Sequence, residues 1–201
     1  MRYLVRKMWV LCTLCFLLSS GFSQENVKCL IKTSLGEIVV ELYYDKAPIT
    51  VRNFLKYVNL ELYYQTSFYR VCNPENESER EIKIEVIQGG NVADKNLSEP
   101  IPLETTQKTG LKHENGTISM ARGGPNTAQS SFFICIHDQP ELDFGGKRNP
   151  DGQGFAAFGK VIKGMEVVHL IQKQEDKGQF LIEPVNIYSI TQIILYDQLM
   201  K

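Results

Sequence analysis

The chain has 201 residues and a formal net charge of −1, and 43% of its residues are hydrophobic and 10% aromatic. This composition supplies enough apolar side chains for one domain with a real core, so it excludes a disordered chain. A mildly acidic chain lacks the clustered lysine and arginine that bind phosphates, so we expect no nucleic-acid partner.

The N-terminus predicts a secretory signal peptide over residues 1–23. Three basic residues within the first seven precede an apolar run over residues 8–18, and a run of small residues follows it. An uncleaved membrane anchor is the alternative, but the apolar run is shorter than the roughly 20 residues that span a bilayer. We therefore expect an exported protein, periplasmic or secreted, with one domain over residues 24–201 and no stable membrane insertion once the leader is removed.

The chain has five cysteines, of which Cys12 and Cys15 lie in the predicted leader. The other three are an odd number, so at least one thiol remains free or pairs with another chain. Cys29 and Cys135 lie in apolar strand-like runs, where a buried and unreactive thiol is the default. Cys72 lies in a polar segment and is the one candidate for redox chemistry, although a plain structural role is favoured.

The first half of the domain predicts a hairpin, a helix and a strand. Residues 28–32 and 36–43 alternate apolar and polar side chains around a turn. Pro48 then precedes a helix that starts at Ile49 or Thr50, with apolar residues at i, i+3, i+4 and i+7 spacing. This helix should cover one mouth of a barrel. A strand over residues 68–71 ends in the polar segment 72–81, which predicts a solvated loop. This insertion either selects partners or is neutral, and neutrality is favoured because surface insertions cost little.

The second half predicts further strands and a second helix. A strand over residues 82–87 is followed by a turn-rich surface excursion, and residues 116–136 read as strand, loop, strand. Residues 155–161 predict a strand, residues 165–173 a helix and residues 185–195 a closing strand. Many short strands with two separated helices predict a mainly β domain built as a closed antiparallel barrel.

Several motifs resemble, in the same order, those of the cyclophilin-type peptidyl-prolyl isomerases. Motifs that share one order are more specific than any one of them alone. The resemblance covers residues 28 to 190 and implies an eight-stranded antiparallel β-barrel capped by two α-helices, with no cofactor and no metal. The motifs are Phe68-Tyr69-Arg70-Val71, Val86-Ile87-Gln88-Gly89-Gly90, Met120-Ala121, Gly124-Pro125-Asn126, Ser130-Ser131-Phe132-Phe133-Ile134, Leu142-Asp143 and Phe158-Gly159-Lys160-Val161.

The resemblance implies that Arg70 and Gln88 are catalytic. Amide resonance gives rotation about a peptide bond a barrier of about 18 to 20 kcal/mol. A donor on the prolyl nitrogen stabilises the twisted state, because the nitrogen lone pair becomes available only as the bond twists. Arg70 matches the family arginine in this role and Gln88 the glutamine that binds the substrate backbone and positions the arginine. From the sequence alone, an arginine after two aromatic residues is more often a surface residue.

The resemblance also implies a substrate groove. Phe133 should form the floor of the proline pocket, and alternation along its strand allows Phe132 to point into the barrel instead. The chain departs from the family at Glu85, where an aromatic side chain is usual, so either Ile84 takes that place or the pocket is open and weaker. The implied substrate-binding residues are Phe68, Val86, Ala121, Arg122, Gly123, Phe133, Leu142 and Phe155.

Three functions follow as hypotheses. The first is a monomeric isomerase that acts on proline-containing unfolded or loop-exposed polypeptides and assists the folding of exported proteins. The second is a catalytically weak or inactive binding or chaperone module with the same fold, motivated by Glu85 and the insertion. The third is a redox-regulated protein that uses Cys72. The three histidines lack metal-ligand spacing, so no metal is expected.

Overall fold

The computed structural model of the chain describes residues 26–194, so the predicted signal peptide over residues 1–23 lies outside the described residues. Residues 26–194 form nine strands and three α-helices. The strands are β1 (Val27–Thr33), β2 (Gly36–Leu42), β3 (Thr66–Cys72), β4 (Val86–Gly89), β5 (Thr117–Met120), β6 (Phe132–Cys135), β7 (Ala156–Lys163), β8 (Asp176–Lys177) and β9 (Phe180–Gln192). The helices are α1 (Pro48–Asn59), α2 (Thr106–Thr109) and α3 (Met165–Gln172), with 3-10 turns at Asp94–Asn96 and Pro140–Leu142.

Eight of the strands close into a barrel. The order is β1-β2-β7-β5-β6-β4-β3-β9, and β9 pairs back with β1, with every pairing antiparallel. The ninth strand, β8, has two residues and pairs with β9 in a tight hairpin. The predicted eight-stranded antiparallel barrel is therefore confirmed.

The barrel interior follows from the alternation of side chains along the strands. In the first hairpin Cys29 pairs with Val40 and Ile31 with Ile38, and all four side chains are fully buried. Because successive strand residues point to opposite faces, the intervening residues face outward. The buried face predicted for this hairpin is confirmed.

Helix α1 begins at Pro48, one or two residues before the predicted start, and buries Val51, Phe54 and Val58. The ring of Phe54 packs against other core aromatic rings, including that of Phe132 at 5.5 Å between centroids. The helix N-terminus is satisfied by the carboxylate of Glu104, which accepts a hydrogen bond of 2.8 Å from the backbone N–H of Thr50. A carboxylate at this position also complements the helix dipole.

Helix α3 is the second predicted helix and buries Val167, Val168 and Ile171. The sequence did not predict α2, which is a single turn of four residues within the turn-rich excursion. Its apolar content is too low for a periodic signal. Within residues 26–194, no helix combines the length and apolar composition that crossing a membrane requires.

The segment 72–81 corrects two expectations. The carboxylate of Glu77 is fully buried within a segment predicted to be solvated, and the strand predicted over residues 82–87 begins only at Val86. Both differences have one cause. Glu77 accepts a hydrogen bond of 2.8 Å from the backbone N–H of Ile84, so this part of the chain folds around a carboxylate instead of extending as a strand.

Candidate active site

Three neighbouring strands place the predicted catalytic residues in one row. Arg70 on β3 pairs with Gln88 on β4, and Gln88 pairs with Phe133 on β6. Paired residues on adjacent strands lie within reach of each other's side chains. The register therefore brings together the arginine, the glutamine and the aromatic ring that the sequence placed far apart.

Three hydrogen bonds hold the guanidinium of Arg70. Its Nη1 donates to Oε1 of Gln88 at 2.7 Å, while Nε and Nη2 both donate to Oε1 of Gln179 at 3.0 and 2.6 Å. Gln88 is itself fixed, because its Nε2 donates to the hydroxyl of Tyr69 at 2.7 Å. A guanidinium has five N–H donors, so one N–H on each terminal nitrogen is left for a substrate.

A cavity of about 240 Å³ with both polar and apolar lining lies next to this guanidinium, and Arg70 and Gln88 form part of its polar wall. Its apolar walls belong to a second hydrophobic cluster, separate from the barrel core, with Phe133 at 4% exposure among its members. The ring of Phe155 meets that of Phe133 edge to face at 5.2 Å between centroids. The apolar lining residues are Ile84, Val86, Ala121, Phe133, Leu142 and Phe155.

The sequence left two alternatives at Glu85: either Ile84 forms the pocket wall in its place, or the pocket is open and weaker. Ile84 and Val86 both line the cavity, whereas Glu85 lines a different depression, next to the end of α3. Because strand β4 begins after Glu85, Ile84 is free to turn its side chain into the cavity. Ile84 thus supplies the apolar wall that the sequence offered as one alternative.

A second depression of about 370 Å³ continues the cavity along the surface. The two share Gln88, Ala121 and Arg122, and Gly123 lines only the second. Together they form one open groove, which we call the groove below. Its open shape and mixed polar and apolar lining suit an extended peptide, which offers backbone groups for hydrogen bonds and side chains for pockets.

Arg122 is held in place on the wall of the groove. Its two terminal nitrogens each donate to the carboxylate of Asp151 at 2.8 Å, and Nε donates to the carbonyl of Gly154 at 2.8 Å. These hydrogen bonds lower the pKa of Asp151, so the pair stays charged. The guanidinium also lies over the ring of Phe155, at 5.2 Å from its centroid, which favours a fixed ring orientation.

A buried hydrogen-bonded histidine supports the floor of the cavity. The ring of His113 stacks on Phe133 at 6.0 Å and an interplanar angle of 14°. Its Nδ1 lies 2.8 Å from Oδ1 of Asp143 and its Nε2 lies 3.0 Å from Oγ of Ser119. This serine is fully buried, so the Ser-His-Asp set has no access to a substrate and its role is structural. Burial lowers the pKa of His113, although Asp143 acts in the opposite direction.

Phe68 is not in the groove, and its assignment to substrate binding is corrected here. The side chain is fully buried in the barrel core and packs edge to face on Phe132 at 5.7 Å. The register of β3 shifts between Phe68 and Arg70, as at a β-bulge. Residues two apart on a strand normally share a face, and the bulge instead sends Phe68 inward and Arg70 outward.

Cys72 gives no support to the redox hypothesis. It lies at the end of β3 and is fully buried, not in a solvated loop. Burial raises the pKa of its thiol to about 11. A buried thiol that stays protonated is a poor nucleophile, so this interpretation loses its basis.

Four residues near the site were missed by the sequence reasoning. Gln179 lies in the turn between β8 and β9, and Arg80, Arg148 and Asn149 line the cavity. Each is a single polar residue in a loop or turn. No periodicity or motif distinguishes such residues from ordinary surface positions.

Comparisons with known proteins agree with the geometry. The family model described as "Cyclophilin type peptidyl-prolyl cis-trans isomerase/CLD" matches residues 28–192. The chain is 40% identical over 160 residues to a peptidyl-prolyl cis-trans isomerase of Acinetobacter baylyi, and the aligned region covers 77% of each protein. It is 38% identical to peptidyl-prolyl cis-trans isomerase B of Escherichia coli, over 70% of this chain and 80% of that one. A crystal structure of a Cryptosporidium parvum cyclophilin superimposes with a TM-score of 0.69 at 25% identity, covering 85% of this chain and 99% of that one.

Proposed function

The chain belongs to the cyclophilin-type family of peptidyl-prolyl cis-trans isomerases, and from this premise we propose that Arg70 is the group that lowers the barrier to rotation about the X-Pro bond. The observation that carries the proposal is the position of Arg70. Its guanidinium is fixed by hydrogen bonds on the wall of the cavity whose apolar lining includes Phe133 and Leu142.

The chemistry requires one well-placed donor. As the X-Pro bond rotates, resonance is lost and the prolyl nitrogen becomes pyramidal with a free lone pair. An N–H that points at this nitrogen stabilises the twisted state more than either planar isomer, which is the condition for catalysis. Arg70 offers the rigid planar fork of donors that such a role needs, and it keeps one free N–H on each terminal nitrogen.

The arrangement of Arg70 is set before the substrate arrives. Gln88 and Gln179 hold the guanidinium at 2.6 to 3.0 Å from opposite sides. A donor that is already in place loses none of its interaction with the twisted state to reorganisation at the moment of reaction. Donors of this kind contribute roughly 10²- to 10³-fold in rate.

The apolar end of the cavity is the place for the proline ring. Phe133 forms the floor, and Val86 and Leu142 form the sides. A pyrrolidine ring has no donor and fits such an apolar pocket, while the flanking residues of the substrate lie in the channel at Ala121 to Gly123. The proposed substrates are therefore extended proline-containing segments of unfolded or loop-exposed polypeptides.

We also propose that this isomerase is exported and assists the folding of exported proteins. The support is the basic, apolar and small-residue pattern of residues 1–23. Expression of the full chain in a secreting host should give a product that begins near residue 24, as read by N-terminal sequencing. A product that retains residues 1–23 would contradict this assignment.

A catalytically inactive binding module has less support. It was motivated by Glu85, and Ile84 fills the corresponding part of the cavity wall. Measured turnover separates the two functions. NMR exchange spectroscopy on an X-Pro peptide detects cis-trans exchange at enzyme concentrations far below that of the peptide, where a pure binder has no effect.

Arg70→Ala tests the mechanism. We expect kcat/KM to fall by about 10²- to 10³-fold, while the melting temperature changes little because the side chain is outside the core. Arg52→Ala is the matched control, since Arg52 is an exposed arginine on α1 that contacts only the hydroxyl of Tyr44. Full activity of Arg70→Ala would overturn the assignment of Arg70.

A further inference from the structure

We propose that Gln179 and Glu77 are positioning residues that hold the guanidinium of Arg70 in its catalytic orientation. This inference rests on the function proposed for Arg70. Neither residue lines the cavity, so both would act through Arg70 and not by touching the substrate. Gln179 contacts Arg70 directly, and Glu77 contacts Gln179.

Gln179 binds the edge of the guanidinium that is formed by Nε and Nη2. Its Oε1 accepts hydrogen bonds from both Nε and Nη2 of Arg70, at 3.0 and 2.6 Å. One carbonyl oxygen with two donors from the same planar group fixes the plane of the guanidinium as well as its position. With Gln88 on Nη1, rotation about the end of the arginine side chain is blocked from both sides.

The backbone of Gln179 is fixed against the same strand as Arg70. Its carbonyl accepts a hydrogen bond of 2.8 Å from the N–H of Val71, and its N–H donates to Oδ1 of Asp176 at 3.0 Å. Its φ is +78°, in the left-handed region that residues other than glycine rarely adopt. The surrounding contacts maintain this uncommon conformation in the turn that carries the side chain to Arg70.

Glu77 determines which end of the Gln179 amide faces Arg70. A glutamine amide has an oxygen and an NH₂ group at similar positions, and a flipped amide would present donors to the donors of Arg70. Oε1 of Glu77 accepts a hydrogen bond of 3.0 Å from Nε2 of Gln179. A carboxylate only accepts, so it selects the amide orientation in which Oε1 faces the guanidinium.

Glu77 is held as a charged acceptor. Its side chain is fully buried, and burial alone would raise its pKa. Hydrogen bonds from both terminal nitrogens of Arg148 and from the N–H of Ile84 outweigh burial and lower its pKa. Arg148 is fixed in turn, because its Nη1 also donates to the carbonyl of Ile82 at 2.6 Å.

The contacts form a continuous chain from Arg148 through Glu77 and Gln179 to Arg70. Arg148 donates to the carboxylate of Glu77, which also accepts from the NH₂ group of Gln179. The carbonyl oxygen of Gln179 in turn accepts from Arg70. The segment 72–81 contributes the central carboxylate of this chain. Through Glu77 and Gln179, neither of which lines the cavity, the insertion thereby supports Arg70.

Gln179→Ala tests the inference directly. We expect kcat to fall about ten- to hundredfold, because a loosely held donor is misplaced in the twisted state, while KM and the melting temperature change little. Lys177→Ala is the matched control, since Lys177 is an exposed residue of the same hairpin and leaves the Arg70 contacts intact. Gln179→Met keeps the length of the side chain without the acceptor and serves as the second variant if alanine lowers the melting temperature.

Two readouts separate positioning from a general structural role. The Nε–H signal of Arg70 in ¹H–¹⁵N spectra should be protected from solvent exchange in the native chain and in Lys177→Ala, and unprotected in Gln179→Ala. Glu77→Gln should give an intermediate loss of both kcat and protection, since the remaining carboxamide no longer selects one orientation of Gln179. An unchanged Arg70 signal in Gln179→Ala would overturn the inference.

A double variant distinguishes failure of the inference from failure of the proposed function. In an Arg70→Ala background, Gln179→Ala should cost no further activity, because its effect passes through Arg70. If Arg70→Ala alone retains full activity, the proposed function fails. If Arg70→Ala is inactive but Gln179→Ala matches the native chain, or if Gln179→Ala costs the same factor in both backgrounds, only the positioning inference fails.

Discussion

Acidification should destabilise the protein through His113. This imidazole is 1% exposed, and burial lowers its pKa in the folded chain. The hydrogen bonds fit a neutral ring, with Nδ1–H donating to Asp143 and Nε2 accepting from the hydroxyl of Ser119. In the unfolded chain the ring is free to take up a proton at its ordinary pKa of 6.5. Protons therefore bind the unfolded state more readily than the folded one.

The sign and size of the effect follow from this difference in pKa. Above pH 6.5 the ring is neutral in both states and its contribution to stability is complete. Below pH 6.5 the free energy of unfolding falls by about 1.4 kcal/mol per pH unit until the folded ring is also protonated. From pH 7.5 to 5.5 the loss from this one group is therefore at most about 1.4 kcal/mol.

Urea denaturation at pH 7.5, 6.5 and 5.5 measures the effect, with His113→Gln as the reference variant. The substitution removes the titrating group and also breaks the buried hydrogen bonds, so it lowers stability at every pH by about 1–3 kcal/mol. The difference in pH dependence between the two proteins isolates His113, because all other titrating groups are common to both. The native chain should lose more stability than the variant on acidification.

The opposite sign would refute the reasoning. If attraction to Asp143 outweighed burial, the folded pKa of His113 would lie above 6.5 and acidification would stabilise the native chain relative to His113→Gln. Lys112, whose Nζ lies 3.5 Å from Asp143, weakens that attraction. Equal pH dependence of the two proteins would also contradict a buried neutral imidazole.

Three further tests address the groove, the barrel and the thiols. Phe133→Leu and Phe132→Leu should each lower stability in urea by on the order of 1 kcal/mol, but only the former should raise KM, since only its ring lines the cavity. Gly89→Ala would place its new Cβ 2.8 Å from the ring of Phe68 and from the carbonyl oxygen of Ser67, so we expect about 1–3 kcal/mol of destabilisation. Gly124→Ala should be tolerated, because the nearest atom to its new Cβ is 4.0 Å away. Cys72 should react with Ellman's reagent at pH 8 only after unfolding, and reaction of the folded chain at the rate of a free thiol would contradict its burial.

The regular parts of the barrel were predictable because their signals are local. Alternation in β1 and β2 and the apolar spacing after Pro48 each depend on residues a few positions apart, and all three elements form as predicted. Closure of the sheet into a barrel depends on pairing between β1 and β9, which are far apart in the sequence. The many short strands predicted a closed barrel, but its eight strands and the joint site of Arg70, Gln88 and Phe133 came from the resemblance to a family.

The error at Phe68 shows what alternation alone misses. A motif with aromatic residues next to Arg70 suggested that both line the same groove. The register shift between Phe68 and Arg70 is set by pairing with β4 and β9, and no property of the motif itself reveals it. One extra residue in a strand reverses the faces of all that follow, so a motif can be matched correctly and still be assigned to the wrong side.

The burial of Glu77 could not be predicted from the neighbouring sequence either. It lies among Glu75, Glu79 and Glu81, which are exposed, and the run as a whole has the composition of a solvated loop. Its burial is compensated by Arg148 and Gln179, which lie 71 and 102 residues further along the chain. A buried carboxylate is stable only when such partners are present, and removing one of them would leave an uncompensated charge. Local composition therefore identifies where charge occurs but not where it is paired, and at this site the paired carboxylate is the one that contacts Arg70 through Gln179.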